Sequence, residues 1–471
     1  MVFSSTVFIF LFLPLVLGIY FLLQNKLRNL FLLIASLFFY AWGEGLLVLL
    51  MMGSIGMNYI MGIAISESLD KNRPLTSKMF LALGVGLNLL VLTYYKYIHF
   101  LVENLAMVGI HIDIDISNVT LPIGISFFTF QSISYLVDVY RSTVKGQRSI
   151  VNLGMYIALF PQLIAGPIVR YVDISKEIQR RTVTPALFKT GITRFLTGFA
   201  KKIIIANNVG LVADKVFGAP VGDLSTSLTW IGVLCYTLQI YYDFSGYSDM
   251  AIGLGKMFGF NFKENFDHPY ISKSVQEFWR RWHISLSTWF RDYLYIPLGG
   301  NRKGKYRTYV NLLIVFFLTG LWHGASWNFI VWGMFHGFFL IVERMDFFKL
   351  PSKFTFLKRF YLLLVVMVGW VIFRAENLGY ALEYIGTMFA FTGGTYAYPY
   401  LFLNTYTLTV IALGILFSAP LRALIVKRAA MIIPNPNSAI ALEHILYVSL
   451  FILSLLELAQ TTYNPFIYFR F

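Results

Sequence analysis

Long runs without a single charged side chain dominate this sequence, and they decide which solvent it folds in. Residues 2–23 contain no Asp, Glu, Lys or Arg, and about 20 such residues in a helix cross a hydrocarbon core of roughly 30 Å. Further runs, apolar but in several cases carrying a few charges, lie near 29–42, 45–65, 79–101, 121–140, 150–169, 187–213, 227–256, 309–343, 356–373, 403–421 and 439–460. They predict roughly eleven to thirteen membrane segments. Backbone amides find no water inside a bilayer, so these runs must satisfy themselves as helices, and the expected fold class is an all-α polytopic membrane protein. The 309–343 run is too long for one upright span, which predicts kinked, tilted or re-entrant helices there. Lys26 and Arg28 follow the first run instead of preceding it, so it reads as a retained span and not as a cleaved signal.

Composition excludes the water-soluble alternative. Apolar residues make up 57% of the chain and charged ones only 13%, about half the share in soluble domains. Lys and Arg exceed Asp and Glu, 38 to 23, a surplus that suits cytoplasmic loops beside anionic lipid better than nucleic acid. The lipid bilayer is the first expected partner, and nucleic acid is not one. A lone cysteine, Cys235, allows no disulfide framework and no thiolate zinc site, and no metal is expected. Internal repeats and low-complexity tracts are absent, so residues 1–471 are expected to form one integral membrane domain. Within it, 263–307 carries nine Lys or Arg against four acids, interleaved with Trp, Phe and Tyr. That pattern predicts a basic amphipathic segment lying along, or dipping into, the cytoplasmic leaflet. The alternating HIDIDISNVT at 111–120 has strand periodicity but reads best as an extracytoplasmic loop or hairpin.

Titratable groups at membrane depth are costly and tend to be functional. His323 leads them: it stands in GLWHGASWNF inside an apolar run, with Gly320 and Gly324 allowing close approach by another backbone or a substrate. An imidazole can take a proton from a hydroxyl and return it to a leaving group. His336, 13 residues later, would sit about 20 Å away on a continuous helix, where packing explains it. His283, in FWRRWHISLSTW, could enter the same cavity from the cytoplasmic segment. Asp243 and Asp249 in YYDFSGYSDMA need cationic partners, for which Arg280 or Arg281 are candidates. The loop GGNRKGKY at 299–306 has phosphate-loop spacing, but Tyr306 stands where a magnesium-binding hydroxyl belongs, and a nucleotidase reading is rejected. Arg302, Lys303, Lys305 and Arg281 are instead candidates to contact the phosphates of a cytosolic cofactor or of lipid.

Taken together, FSSTVFIFLFLPL at the start, FPQLIAGPIVR at 160–170, YDFSGYSDMAIGLG at 242–255, FWRRWHISLSTWFRDYLYIPLGGNRKG at 278–304 and GLWHGASWNFIVWGMFHG at 320–337 resemble the membrane-bound O-acyltransferase superfamily, in its bacterial alginate and peptidoglycan O-acetyltransferase branch. The resemblance spans nearly the whole chain. It implies a helical ring or funnel with a central tunnel joining a cytosolic acyl-CoA entrance to the outer face of the bacterial cytoplasmic membrane. It places the family's catalytic histidine on His323 and its second polar signature on His283. The implied reaction carries acetyl from acetyl-CoA across the membrane to a separate extracytoplasmic SGNH-like O-acetyltransferase, and finally to a polysaccharide hydroxyl. The ending NPFIYFRF, within the aromatic tail 464–471, matches an F-x-Y-x-x-F ending found on a partner peptide of a related D-alanylation system. There Tyr468 would be a built-in acyl carrier; the alternative is an aromatic anchor at the interface. A transporter using His323 as a proton relay is the competing reading, although paired repeat halves are missing.

Overall fold

The computed structural model describes all residues except 165, 346–353, 392, 395–401, 422–427, 429–434, 461, 462, 466 and 468–471. Among the described residues the chain is helical, with no strand element. Residues 110–116 form an irregular loop, closed by Ser117, whose amide and hydroxyl both donate to Asp115 Oδ1. Five helical elements are long and apolar enough to cross a membrane: Asn25–Asp70, Pro74–Met107, Pro185–Phe217, Thr355–Arg374 and Asn437–Gln460. The first folds as two helices, Asn25–Glu44 and Val48–Asp70, because Gly45 takes φ +57 between them. Two further expected segments form shorter apolar helices, Phe8–Leu22 and Thr405–Phe417, and others are shorter still or more polar.

The chain packs as two compact units, Met1–Ile192 with Met250–Lys263, and Thr193–Asp249 with Glu264–Phe471. In the first unit, neutral polar groups join the apolar helices. Asn88 Nδ2 donates to Asn58 Oδ1 across 2.8 Å, and a Cβ at Gly62 would meet the Tyr135 hydroxyl at 2.5 Å. Small residues at such crossings let helix backbones approach without a hydrophobic driving force.

The second unit holds the polar motifs. Six helices build their surroundings: α1 (Thr226–Met257), α2 (Val275–Arg281), α3 (Ile284–Phe290), α4 (Gly304–His323), α5 (Trp327–Arg344) and α6 (Thr355–Arg374). The Ser274 hydroxyl accepts from the Glu277 amide at 3.0 Å and starts α2. The long 309–343 run breaks after His323, and α4 and α5 form a tight helical hairpin. A Cβ at Gly320 would lie 2.2 Å from the Phe329 carbonyl oxygen, and one at Gly333 would lie 2.2 Å from that of Phe316. Any larger residue there pushes the hairpin open, so both glycines fix where the end of α4 sits.

Candidate active site

His323 is the last residue of α4 and is 4% exposed. Trp322, Trp332 and Phe373 present ring edges or faces to it at centroid distances of 5.0, 5.0 and 5.3 Å. These contacts come from α4, α5 and α6, so the hairpin and its neighbour fix the imidazole together.

His283 initiates α3 from the left-handed region, φ 44. For a residue with a Cβ that conformation costs about 1–2 kcal/mol, and such strain gathers at functional sites. Asn265 offsets it. Its Oδ1 lies 3.1 Å from His283 Nδ1 and accepts from the Ser285 hydroxyl at 2.8 Å and the Ser285 amide at 3.2 Å. Its Nδ2 donates to Ser248 Oγ on α1 at 3.1 Å, and its carbonyl accepts from the Ile284 amide. Phe244 of α1 stands edge-on to the imidazole at 4.6 Å. Burial pushes this imidazole down to about 3, so it is neutral at ordinary pH. Trp322 lies 6.0 Å from His283 and 5.0 Å from His323. The two sequence-predicted histidines thus flank one indole.

A cavity of about 860 Å³ opens beside this cluster, within the range of small-molecule sites. Lys273, Arg280, Arg291, Arg344 and Lys358 line it, with Glu343 as the one lining carboxylate among the described residues. Glu343 accepts from the amides of Val275 and Gln276 at 2.6 and 3.1 Å, so its charge is already satisfied. Leu286, Phe290, Leu312, Val315, Phe316 and Leu340 supply apolar wall. The wall includes Thr319, one turn before His323 on α4, and Trp279. Trp279 packs 5.7 Å from Trp332, which packs 5.0 Å from His323. Trp332 therefore stands between the cavity and the imidazole.

The remaining expectations fall in several places. Arg302 and Lys303 on the loop that follows Asn301, a lining residue, and Lys305 in the first turn of α4 are exposed and do not themselves line the cavity. Arg281 pairs with Asp267 at 2.8 Å and Glu277 at 3.1 Å. Tyr468 and Phe466 lie outside the described residues. Two sequence expectations need correction. Asp243 and Asp249 do not pair with Arg280 or Arg281: Lys202 meets Asp243 at 2.6 Å, and Arg194 and Lys201 each meet Asp249 at 2.7 Å. Arg194 and Lys201 lie seven residues apart, on one helical face pointing at α1, and that spacing was the available signal. His336 does not lie on a helix continuous with His323. It packs against Trp332 of its own helix and against Trp279, each at 5.2 Å, and among the described residues neither of its ring nitrogens has a hydrogen-bond partner. The sequence reading also missed Asn265, gave no cavity role to Lys273, Arg280 and Arg291 of the basic segment 263–307, and missed Arg344 and Lys358 beyond it.

Comparison with known proteins bears on this geometry. Residues 144–382 match the model of the MBOAT, membrane-bound O-acyltransferase family. The chain is 44% identical to a probable alginate O-acetylase of Pseudomonas putida, over 100% of both chains. It is 35% identical to a peptidoglycan O-acetyltransferase of Helicobacter pylori, covering 83% of this chain and 80% of that one. A teichoic acid D-alanyltransferase of Bacillus subtilis is 29% identical over 49% of this chain and 60% of its own length. The chain belongs to the membrane-bound O-acyltransferase family.

Proposed function

We propose that this protein takes acetyl from cytosolic acetyl-CoA and passes it across a bacterial cytoplasmic membrane, which it crosses many times. The acetyl is destined for O-acetylation of an extracytoplasmic polysaccharide, alginate-like or peptidoglycan. One observation supports this above the rest: a cavity lined by five cations and apolar wall ends one helical turn, and one indole, from His323. Arg and Lys suit the phosphates of a coenzyme A donor, and the apolar inner wall suits its pantetheine arm. Arg302, Lys303 and Lys305, next in sequence to the lining residue Asn301, extend that basic surface as phosphate contacts; Arg281, bound to two carboxylates, orders the same segment.

The chemistry follows from an imidazole between two substrates. His323 accepts the proton of an acceptor hydroxyl as that oxygen attacks the thioester carbonyl carbon. The tetrahedral adduct collapses, the carbon–sulfur bond breaks, and the departing thiolate recovers the proton from the imidazolium. The products are an O-acetyl ester and CoA thiol. Neutral His283, oriented by Asn265, offers a second polar edge on the other side of Trp322. Displacement of the Trp332 and Trp279 side chains admits the thioester to His323.

The acceptor hydroxyl in this reading is Tyr468, and the acetyl-tyrosine is handed to a separate extracytoplasmic SGNH-like transferase. An aryl ester is activated, so onward transfer to a sugar hydroxyl runs downhill. The test is reconstitution in liposomes with labelled acetyl-CoA on the cytosolic face. Label should appear on Tyr468 and disappear in Tyr468→Phe. Unchanged acetylation of the acceptor by Tyr468→Phe removes the carrier and leaves His323 acting on another hydroxyl.

A further inference from the structure

The two buried carboxylates of α1 are satisfied in different ways. Asp249 takes its partners from the helical bundle alone, Arg194 and Lys201. Asp243 and Lys202 form an ion pair at 2.6 Å, each side chain 2% exposed, and both also bind main chain from the far C-terminus. Lys202 Nζ donates to the carbonyl of Pro465, and Asp243 Oδ2 accepts from the amide of Ile467 at 2.8 Å. Ile467 is itself buried, at 6% exposure. Two residues earlier than Pro465 the segment is held again. Asn207 Nδ2 donates to the Tyr463 carbonyl at 3.3 Å, and the Tyr463 hydroxyl donates to Asp214, which Arg374 holds at 2.6 Å.

We propose that the Lys202–Asp243 ion pair is a docking site for peptide main chain, and that its ligand is the C-terminal segment of this same chain. The pair presents one donor and one acceptor, and the segment offers an acceptor and a donor two residues apart. Recognition of that kind is blind to side chains and fixes the register of the residues beyond Ile467. It also explains why an ion pair survives at such depth. A buried pair repays its desolvation only when further hydrogen bonds occupy its remaining donors and acceptors, and here the segment supplies one at each end. An aromatic tail that merely rested at the lipid interface would need neither contact. The pair is therefore a positioning device for the segment up to Ile467, the residue that precedes the proposed carrier. That last step rests on the proposed carrier role of the tail.

Hydrogen exchange of the full-length protein in nanodiscs tests the docking itself, read at the backbone amides of 463–467. Ile467→Pro removes the bonded N–H and leaves every side chain of the bundle in place. It should speed exchange across the segment at least tenfold, as should Asp243→Ala, while Ile467→Val keeps wild-type protection. Because Asp243→Ala also strips a buried lysine of its partner, Ile467→Pro is the deciding variant. Wild-type protection in Ile467→Pro overturns the docking proposal. Activity separates the two ideas: a released tail with normal acetyl delivery leaves the docking site standing and removes the carrier, whereas loss of delivery in Tyr468→Phe with a protected tail in Ile467→Pro does the reverse.

Discussion

Helices that hydropathy marks as spans in the two parts of this chain do different things with their polar residues. In Asn25–Asp70 and Pro74–Met107 only 22% of the apolar window is buried, and the inter-helix polar contacts include the neutral Asn58–Asn88 pair and Lys96 donating to the Ser126 hydroxyl at 3.0 Å, with no carboxylate in either. In Pro185–Phe217 61% is buried, and the helix carries Arg194, Lys201 and Lys202 onto Asp249 and Asp243. Hydropathy alone reads both as spans. The difference is what each face meets: the first exposes Leu49 at 61% and Met52 at 50% to its surroundings, while the second is committed to protein partners. Charges are kept at depth where they order the parts that flank the chemistry.

Breaking the charged side of this contrast should have the largest effect on folding. Asp249→Leu leaves Lys201 without its carboxylate and Arg194 with Glu264 alone, and removal of one partner from a buried pair costs about 3–5 kcal/mol. Thermal unfolding in detergent should show a large drop. Gly333→Ala comes next: its Cβ meets the Phe316 carbonyl, which is backbone and cannot swing aside. Overpacking of this kind costs about 1–3 kcal/mol, and activity should fall with stability because the α4–α5 hairpin sets His323. A double substitution, Arg280→Ala with Arg344→Ala, should raise the KM for acyl-CoA about tenfold, on the order of 1.4 kcal/mol, with kcat little changed and unfolding unaffected. On the neutral side, Asn88→Ala should cost about 0.6 kcal/mol, the typical worth of an inter-helix hydrogen bond in a membrane. Leu49→Ala should be silent within about 0.5 kcal/mol, as surface substitutions are.

One pH dependence sharpens the same contrast. The unfolded chain protonates His283 below about 6.5, whereas the folded one holds it neutral down to about 3. The unfolded state then binds more protons, so stability is full above the ordinary histidine range and falls as pH drops below it. His283→Asn should flatten that decline in acid unfolding curves.

Much of this was legible in the sequence because its signals are local. Apolar runs declare helices, the excess length of 309–343 declares a break, and a histidine between glycines in WHG marks a candidate site. Long-range pairing was not legible. Asp243 and Asp249 advertise missing cations without naming them, and the cations arrive from an earlier helix, 48 residues before Asp249 for Lys201 and 55 for Arg194, instead of from Arg280 and Arg281. Asn265 looks like any loop asparagine until its contacts to His283, Ser285 and Ser248 converge. The cavity joins Lys273 and Arg291 of the basic segment to Arg344 and Lys358, which no sequence pattern ties to it. The packing role of His336 was legible, but not its partner Trp279, which comes from another segment.

At the centre of the proposed chemistry, His323 moves the proton that lets an acyl thioester be cleaved. Release of CoA thiol by the purified protein, supplied with acetyl-CoA, tests that role most directly. Wild type should release thiol, and His323→Ala should slow release by about 10²–10⁴, the worth of a general base, with an unfolding temperature within a few degrees of wild type. Thiol release by His323→Ala at the wild-type rate contradicts it.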